Sequence, residues 1–115
     1  RMEAEKTVAV ISVPGDRSDG DMRAFGDLAG KTFDRIVIRE DDNTRGRKRG
    51  AISEILRAAA AAGGMGDSNI TVVIDELEAV KHAVDMADKT DLVVLMIDKP
   101  VKVWEMLTGF GASAI

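Results

Sequence analysis

Four short, continuous apolar runs recur along the chain, and each is followed by a stretch whose apolar residues return every three or four positions. The first run, Thr7 to Val13 (TVAVISV), is β-branched and unbroken, as expected of a strand buried on both faces. Pro14 and Gly15 end it. Ser18, with Asp21 three residues on, resembles a capping box and predicts a helix start. Met22, Phe25, Leu28, Ala29, Thr32 and Phe33 supply its apolar face. Gly26 and Gly30 lower its intrinsic propensity and would let it pack close to a sheet.

Arg35 to Arg39 (RIVIR) reads as a second strand, and Glu40 to Gly50 as a charged loop. Ala51 to Ala62 is a helix with Ile52, Ile55, Leu56 and Ala59 on one stripe; Gly63 and Gly64 stop it, and Gly66 keeps the next stretch loose. Ile70 to Ile74 is a third strand and Leu77 to Ala87 a third helix, with Leu77, Val80, Ala83, Val84 and Ala87 on its core face. Leu92 to Ile97 (LVVLMI) is a fourth strand. Pro100 suits the first turn of a last helix packed by Val103, Trp104 and Leu107. The Gly- and Ala-rich tail from Gly109 reads as frayed.

Strand and helix alternate throughout. All-apolar strands need helices on both faces, and right-handed crossovers then give a three-layer, open, mainly parallel α/β sheet of Rossmann-like type. At 115 residues there is room for a single domain, residues 1–115. The abrupt, charged start without an initiator Met at position 1 suggests a piece of something longer.

Composition narrows the chemistry. There is no Cys, which excludes disulfides, thiolate metal sites and cysteine nucleophiles, and one His leaves little for a metal site or a Ser-His-Asp triad. No apolar run approaches about 18 residues, so a membrane span is not expected, and the charged start is no secretory signal. These features together predict a cytoplasmic domain. A net charge of −4 argues against a general polyanion binder. Residues 35–49, however, carry a local balance of +3, from six basic side chains (Arg35, Arg39, Arg45, Arg47, Lys48 and Arg49) against three acidic ones (Glu40, Asp41 and Asp42). No aromatic residues interleave them for nucleic-acid stacking.

Ligands of open parallel sheets bind outside the carboxyl ends of the strands. That rule singles out the loops after all four strands. After the first strand, Arg17 suits a phosphate or carboxylate and Asp16 could orient it or share Mg²⁺ with phosphate oxygens; a simple turn with a surface ion pair is the plain alternative. After the second, Arg39, Asp41, Asp42, Asn43 and Arg45 suit a zwitterion, with carboxylates for a cationic group and arginines for a carboxylate; an exposed charged loop is the alternative. Asp75, Asp98 and Lys99 follow the third and fourth strands and are possible cleft residues, although Asp-Glu before a helix and Asp-Lys before Pro100 have ordinary structural readings. His82, off the core stripe, reads as a surface residue. Neither GxxxxGK[ST] nor GxGxxG occurs.

Val13-Pro-Gly-Asp-Arg17, Arg39-Glu-Asp-Asp-Asn-Thr-Arg-Gly-Arg47, and the strand of Leu92–Val94 followed by Asp98-Lys99-Pro100 and Val103-Trp104 together resemble the C-terminal domain of the Mur ligase family, in its cyanophycin synthetase branch. The likeness runs from about Val8 to Leu107. It implies part of a larger ATP-dependent ligase that activates a carboxylate as an acyl phosphate and joins it to an amino acid such as Arg. Asp16 and Arg17 match the family's GDR element, on the nucleotide side. Asp41, Asp42, Asn43 and Arg45 match its DDNPR-like element, on the side of the added amino acid, with Thr44 in place of the family's Pro. The resemblance implies ATP and Mg²⁺ in the parent enzyme, none held by this chain alone, and no catalytic residue here. It implies as partners the central ATPase domain and an amino acid or peptide substrate; exposed apolar surface left by a missing parent domain would favour a homo-oligomer. The family's P-loop, its DxAHNP-type segment and its GKGHE-like stretch do not occur in these residues, so no turnover is expected of them alone. A stand-alone flavodoxin-like module for a small ligand or nucleotide, or an interaction module, are the alternatives from the residues.

Overall fold

The computed structural model describes residues 6–109. Strands β1 (Thr7–Ile11), β2 (Arg35–Ile38), β3 (Ile70–Val72) and β4 (Leu92–Leu95) alternate with helices α1 (Asp19–Thr32), α2 (Ala51–Ala62), α3 (Glu76–Met86) and α4 (Pro100–Gly109). The strands form one wholly parallel sheet in the order β3-β2-β1-β4. This is the three-layer α/β architecture that the alternation of elements implies. Among the described residues no helix is long and apolar enough to cross a membrane.

The period of two along each strand divides the core. Ala9, Ile11, Ile36 and Ile38 face α1 and α2. Val8, Val10 and Val37 face α3 and α4 with Ala79, Val80, Ala83 and Val103. Complete burial of a Val, Ile or Leu side chain is worth about 1.5–3 kcal/mol, so β1 and β2 anchor both layers. The strands are shorter than the apolar runs that encode them. The pairing still extends past the strand ends through Arg39 N–H to the Ile11 carbonyl and Met96 N–H to the Val10 carbonyl, 3.0 and 2.9 Å.

Ser18 caps α1 by accepting from the Asp21 amide at 3.0 Å, as its spacing suggests. Other expectations need correction. Leu28 lies on the solvent side of α1, 60% exposed, because Met22, Gly26 and Ala29 make the inward stripe. Trp104 is 45% exposed on α4, whose inward anchor is Val103. Residues Asp67–Asn69 form one 3₁₀ turn where a loose stretch is expected. Gly26 and Gly30 of α1 serve close packing on α2, not on the sheet. A Cβ on Gly26 would lie 2.7 Å from the Ala59 Cβ, and one on Gly30 would lie 2.5 Å from the Ala60 carbonyl oxygen. The frayed tail expected beyond Gly109 and the charged residues before Lys6 lie outside the described residues.

Gly30→Ala has no flexible neighbour to displace, only α2 backbone. It is expected to lower stability by about 1–3 kcal/mol despite the better helix propensity of Ala. Urea unfolding followed by circular dichroism checks this; an unchanged or higher midpoint contradicts the close helix contact.

Candidate functional site at the carboxyl edge of the sheet

Crossovers α1 and α2 pack on one face and α3 returns across the other, so the chain diverges at the carboxyl ends of β1 and β4. A recess of about 380 Å³ opens there, lined by Ser12, Val13, Pro14, Arg17, Phe25 and Met96 among others. A larger concavity of about 770 Å³ lies between α1 and α2, floored by Ile55, Ala58, Ala59 and Ala62. Charged residues at its rim pair with protein partners, Arg47 with Asp19, Lys31 with Asp27 and Arg57 with Glu54, so it presents little chemistry.

Arg39 and Glu40 continue the inward alternation of β2 past its last apolar residue and are both buried, 4% and 2% exposed. Arg39 follows Val37 toward the α3 side. Its Nε donates to the Met96 carbonyl at 2.9 Å, Nη1 meets Asp41 Oδ1 at 2.6 Å and Nη2 meets Glu76 Oε1 at 3.2 Å. Because β1 stands between β2 and β4, this side chain passes the end of β1 to reach β4. Glu76, 3% exposed, spends its carboxylate further on the backbone amides of Asp98 and Lys99, both at 2.7 Å, just ahead of α4. One buried ion pair thus ties together the ends of β2 and β4 and the starts of α3 and α4.

Glu40 follows Ile38 toward α2. That helix begins at Gly50, held at φ +93° and with no side chain to cap it. The Glu40 carboxylate takes over the task. Oε1 accepts from Gly50 N–H at 3.0 Å and from Arg49, and Oε2 accepts from Ser53 N–H at 2.9 Å and the Ser53 hydroxyl at 2.7 Å. Burial pushes this carboxyl's pKa up, but the bonds from Gly50, Ser53 and Arg49 together outweigh it and hold the group below its ordinary value.

Arg47 locks the loops after β1 and β2 side by side. Its Nε donates to the Gly15 carbonyl and Nη2 to the Arg17 carbonyl, both at 2.8 Å, and Nη1 pairs with Asp19 at 2.7 Å. A Cβ on Gly15 would fall 2.0 Å from the Thr44 carbonyl oxygen, so only glycine allows the loops to meet. Arg49 braces the second loop by donating to the Asp41 and Asp42 carbonyls at 2.8 and 2.7 Å.

The residues singled out from sequence therefore fall into distinct settings. Asp16 and Arg17 are exposed on the β1 loop, and no ion pair joins them among the described residues. Arg39 lies beneath the edge with its three nitrogens on protein acceptors, not at the surface where substrate would reach it. Asp41 is half-buried between Arg39 and the Ser12 hydroxyl, 3.4 Å away. Asn43 accepts from the Arg45 amide at 2.9 Å, which supports Arg45 at φ +55° and leaves the Arg45 side chain exposed. Asp75 caps α3 by accepting from Glu78 N–H at 3.0 Å. Asp98 is exposed, and Lys99 crosses to Asp42, with Nζ 2.7 Å from Oδ2. That contact holds the Asp42 pKa below, and the Lys99 pKa above, its ordinary value. His82 is exposed on α3, as the helical stripe implies. Sequence reasoning missed the parts played by Glu40, Arg47 and Glu76. A helix opening on a glycine without a capping side chain is the sequence signal that would have led to Glu40.

The sign of the Glu40 effect follows from its depressed folded-state pKa: the stabilisation is present above the ordinary value of 4.5 and is lost as pH falls through the folded one. Glu40→Gln is expected to lower stability at pH 7 and to flatten the decline below about pH 4.5. Urea midpoints from pH 7 to pH 3 check it; an equally steep acid decline in the variant contradicts the assignment.

The sequence matches the family model described as "Mur ligase, glutamate ligase domain" over residues 1–96. It is 38% identical over 89 residues to a cyanophycin synthetase of Nostoc sp., covering 77% of this chain and 10% of that protein. A cyanophycin synthetase of Geminocystis herdmanii is 33% identical over 107 residues, 93% of this chain and 12% of that protein. A UDP-N-acetylmuramoyl-L-alanyl-D-glutamate–2,6-diaminopimelate ligase of Agrobacterium fabrum is 34% identical over 78% of this chain and 17% of its own length. The chain thus spans only about a tenth of the cyanophycin synthetases it matches. A solved structure of a ligase of the latter name superposes with a TM-score of 0.70 at 19% identity, over 96% of this chain and 25% of that one, and shares the fold. With the family model matching most of its length, the chain belongs to the Mur ligase, glutamate ligase domain family.

Proposed function

We propose that this chain serves as the C-terminal, substrate-closing domain of an ATP-dependent acid–amino acid ligase of the cyanophycin synthetase kind, which adds a basic amino acid such as Arg to a carboxylate. The observation that carries this reading is the locked pair of loops: Arg47 and the glycine contact at Gly15 bring the Arg17 turn against the Asp41–Arg45 loop on one edge. A ligase needs a cation toward phosphate and an anion toward a basic side chain within reach of each other, and this edge offers both.

In the proposed reaction ATP passes its terminal phosphoryl group to the acceptor carboxylate and leaves as ADP, and the incoming amine attacks the resulting acyl phosphate, forming the amide bond, losing a proton and expelling inorganic phosphate. The exposed Arg17 guanidinium suits phosphate oxygens, with Asp16 beside it in sequence. Asp42 presents a carboxylate at the surface to an ammonium or guanidinium, and the Arg45 side chain is available to the amino acid's carboxylate. Arg39 is a positioning residue here: it holds Asp41 from below. Asp75, Asp98 and Lys99 frame the neighbouring strand ends. Among the described residues no three acidic or histidine side chains converge as a metal site. In this reading Mg²⁺ and the phosphoryl-transfer machinery belong to the partner, the ATPase domain of the parent ligase, in the cytoplasm.

The test is amide-shift NMR on the 115-residue chain. ATP is expected to shift residues 14–17, and aspartyl-arginine dipeptide or L-arginine to shift residues 41–45. Arg17→Ala should weaken the ATP response by about tenfold, the equivalent of one charge-assisted hydrogen bond. The chain alone should give no ATP-dependent ADP release with these acceptors. Shifts confined to other parts of the surface, or robust turnover, contradict the proposal.

A further inference from the structure

The Lys99–Asp42 pair joins the segment after β4 to the loop after β2, with β1 between them, so it straps across the carboxyl edge where the sheet diverges. Its two ends are held differently. The Asp42 side chain is 79% exposed, yet its backbone is fixed independently, because Arg49 donates to the Asp42 carbonyl at 2.7 Å. The Lys99 backbone is likewise fixed, by its amide on the buried Glu76 carboxylate at 2.7 Å. The contact between the side chains is therefore the exchangeable part of an otherwise braced edge. An ion pair this exposed is weakly held in water, and its ammonium has other carboxylates at hand: Glu76 and Asp75 also attract Lys99. Asp42, for its part, also lies within the fields of Arg49 and Lys102.

We propose that Lys99 is a built-in competitor for the cationic group of the incoming amino acid: its ammonium occupies Asp42 until a ligand's guanidinium or ammonium takes that place. This rests on the reading of the Asp41–Arg45 loop as the amino-acid side of the edge. Two consequences follow from charge. A neutral side chain gains nothing by displacing Lys99, since it offers the Asp42 carboxylate no charge in exchange for the ammonium it removes. A guanidinium replaces a single-point contact by a planar, two-pronged one and so overcomes the competitor. Lys99 then tempers the affinity of this edge for basic amino acids, while the Asp42 carboxylate sets the preference for a cation over a neutral side chain of the same length. Displacement also opens the strap between the β2 loop and α4 while the buried Arg39–Glu76 pair stays in place.

Lys99→Met keeps the aliphatic stem and the backbone amide that Glu76 accepts, and removes only the ammonium. The experiment titrates the 115-residue chain and this variant with L-arginine and with its neutral analogue L-citrulline, following amides 41–45. Lys99→Met is expected to bind L-arginine about three- to tenfold more tightly than the unaltered chain, with no gain for citrulline, and Asp42→Asn should erase the gain. Lys99→Gln should behave as Lys99→Met does. Equal or weaker arginine binding by Lys99→Met overturns the competitor while leaving the loop's role intact. Absence of arginine binding at 41–45 in both chains overturns the loop reading and the competitor with it. Citrulline gaining as much as arginine overturns the charge argument.

Discussion

Everything at the carboxyl edge depends on one buried contact, the Arg39 guanidinium against the Glu76 carboxylate. Each is 4% exposed or less, and neither has water to fall back on. A buried charge is tolerated only when paired and hydrogen-bonded, and here each group is satisfied by several partners. Arg39 uses Met96, Asp41 and Glu76; Glu76 uses Arg39 and the amides of Asp98 and Lys99. Such a pair adds little net stability over apolar packing, but it dictates geometry. It sets the ends of β2 and β4 and the starts of α3 and α4 at one spacing around β1. The exposed Asp42 meets that frame through Lys99, whose amide rests on Glu76.

A second frame stands on the opposite face. Glu40 serves as the missing cap of α2, and α2 is pressed against α1 through Gly26 and Gly30. Because α1 begins directly after the Arg17 turn, and α2 directly after the Arg47–Gly50 segment, the helix contact and the loop contact reinforce each other. Arg47 closes the circuit by reaching both Gly15 and Asp19. Consecutive residues just past the end of β2, Arg39 and Glu40, thus send opposite charges into opposite layers. Both serve the same end, a rigid edge carrying a few exchangeable side chains.

Much of this was legible in the chain. The apolar runs give every strand, and the spacing of Ile52, Leu56 and Ala59 gives α2 with its observed bounds. Burial is decided by local pattern there. Leu28 and Trp104 escaped because the stripe of a helix depends on which residues can approach its neighbour: close contact at Gly26 turns α1 so that Leu28 faces outward. In the loops, Asp41, Asp42 and Arg45 stood out by charge, but charge alone does not separate a solvated carboxylate from a buried one. Glu40 and Glu76 read as ordinary surface residues of a charged loop and a helix start. Their burial follows from contacts that no local period encodes, with Gly50 and Ser53 for Glu40 and with Arg39, Asp98 and Lys99 for Glu76. Arg39 reads as a ligand-facing residue for the same reason.

A double-mutant cycle on Arg39 and Glu76 tests the frame most directly, with Arg39→Met and Glu76→Gln measured singly and together by urea unfolding. Removing one partner of a buried pair costs about 3–5 kcal/mol, and removing both costs much less than the sum. The account predicts that strong coupling, together with loss of hydrogen-exchange protection at the Asp98 and Lys99 amides in Glu76→Gln. Additive effects with both amides still protected would show that the edge is held by something else.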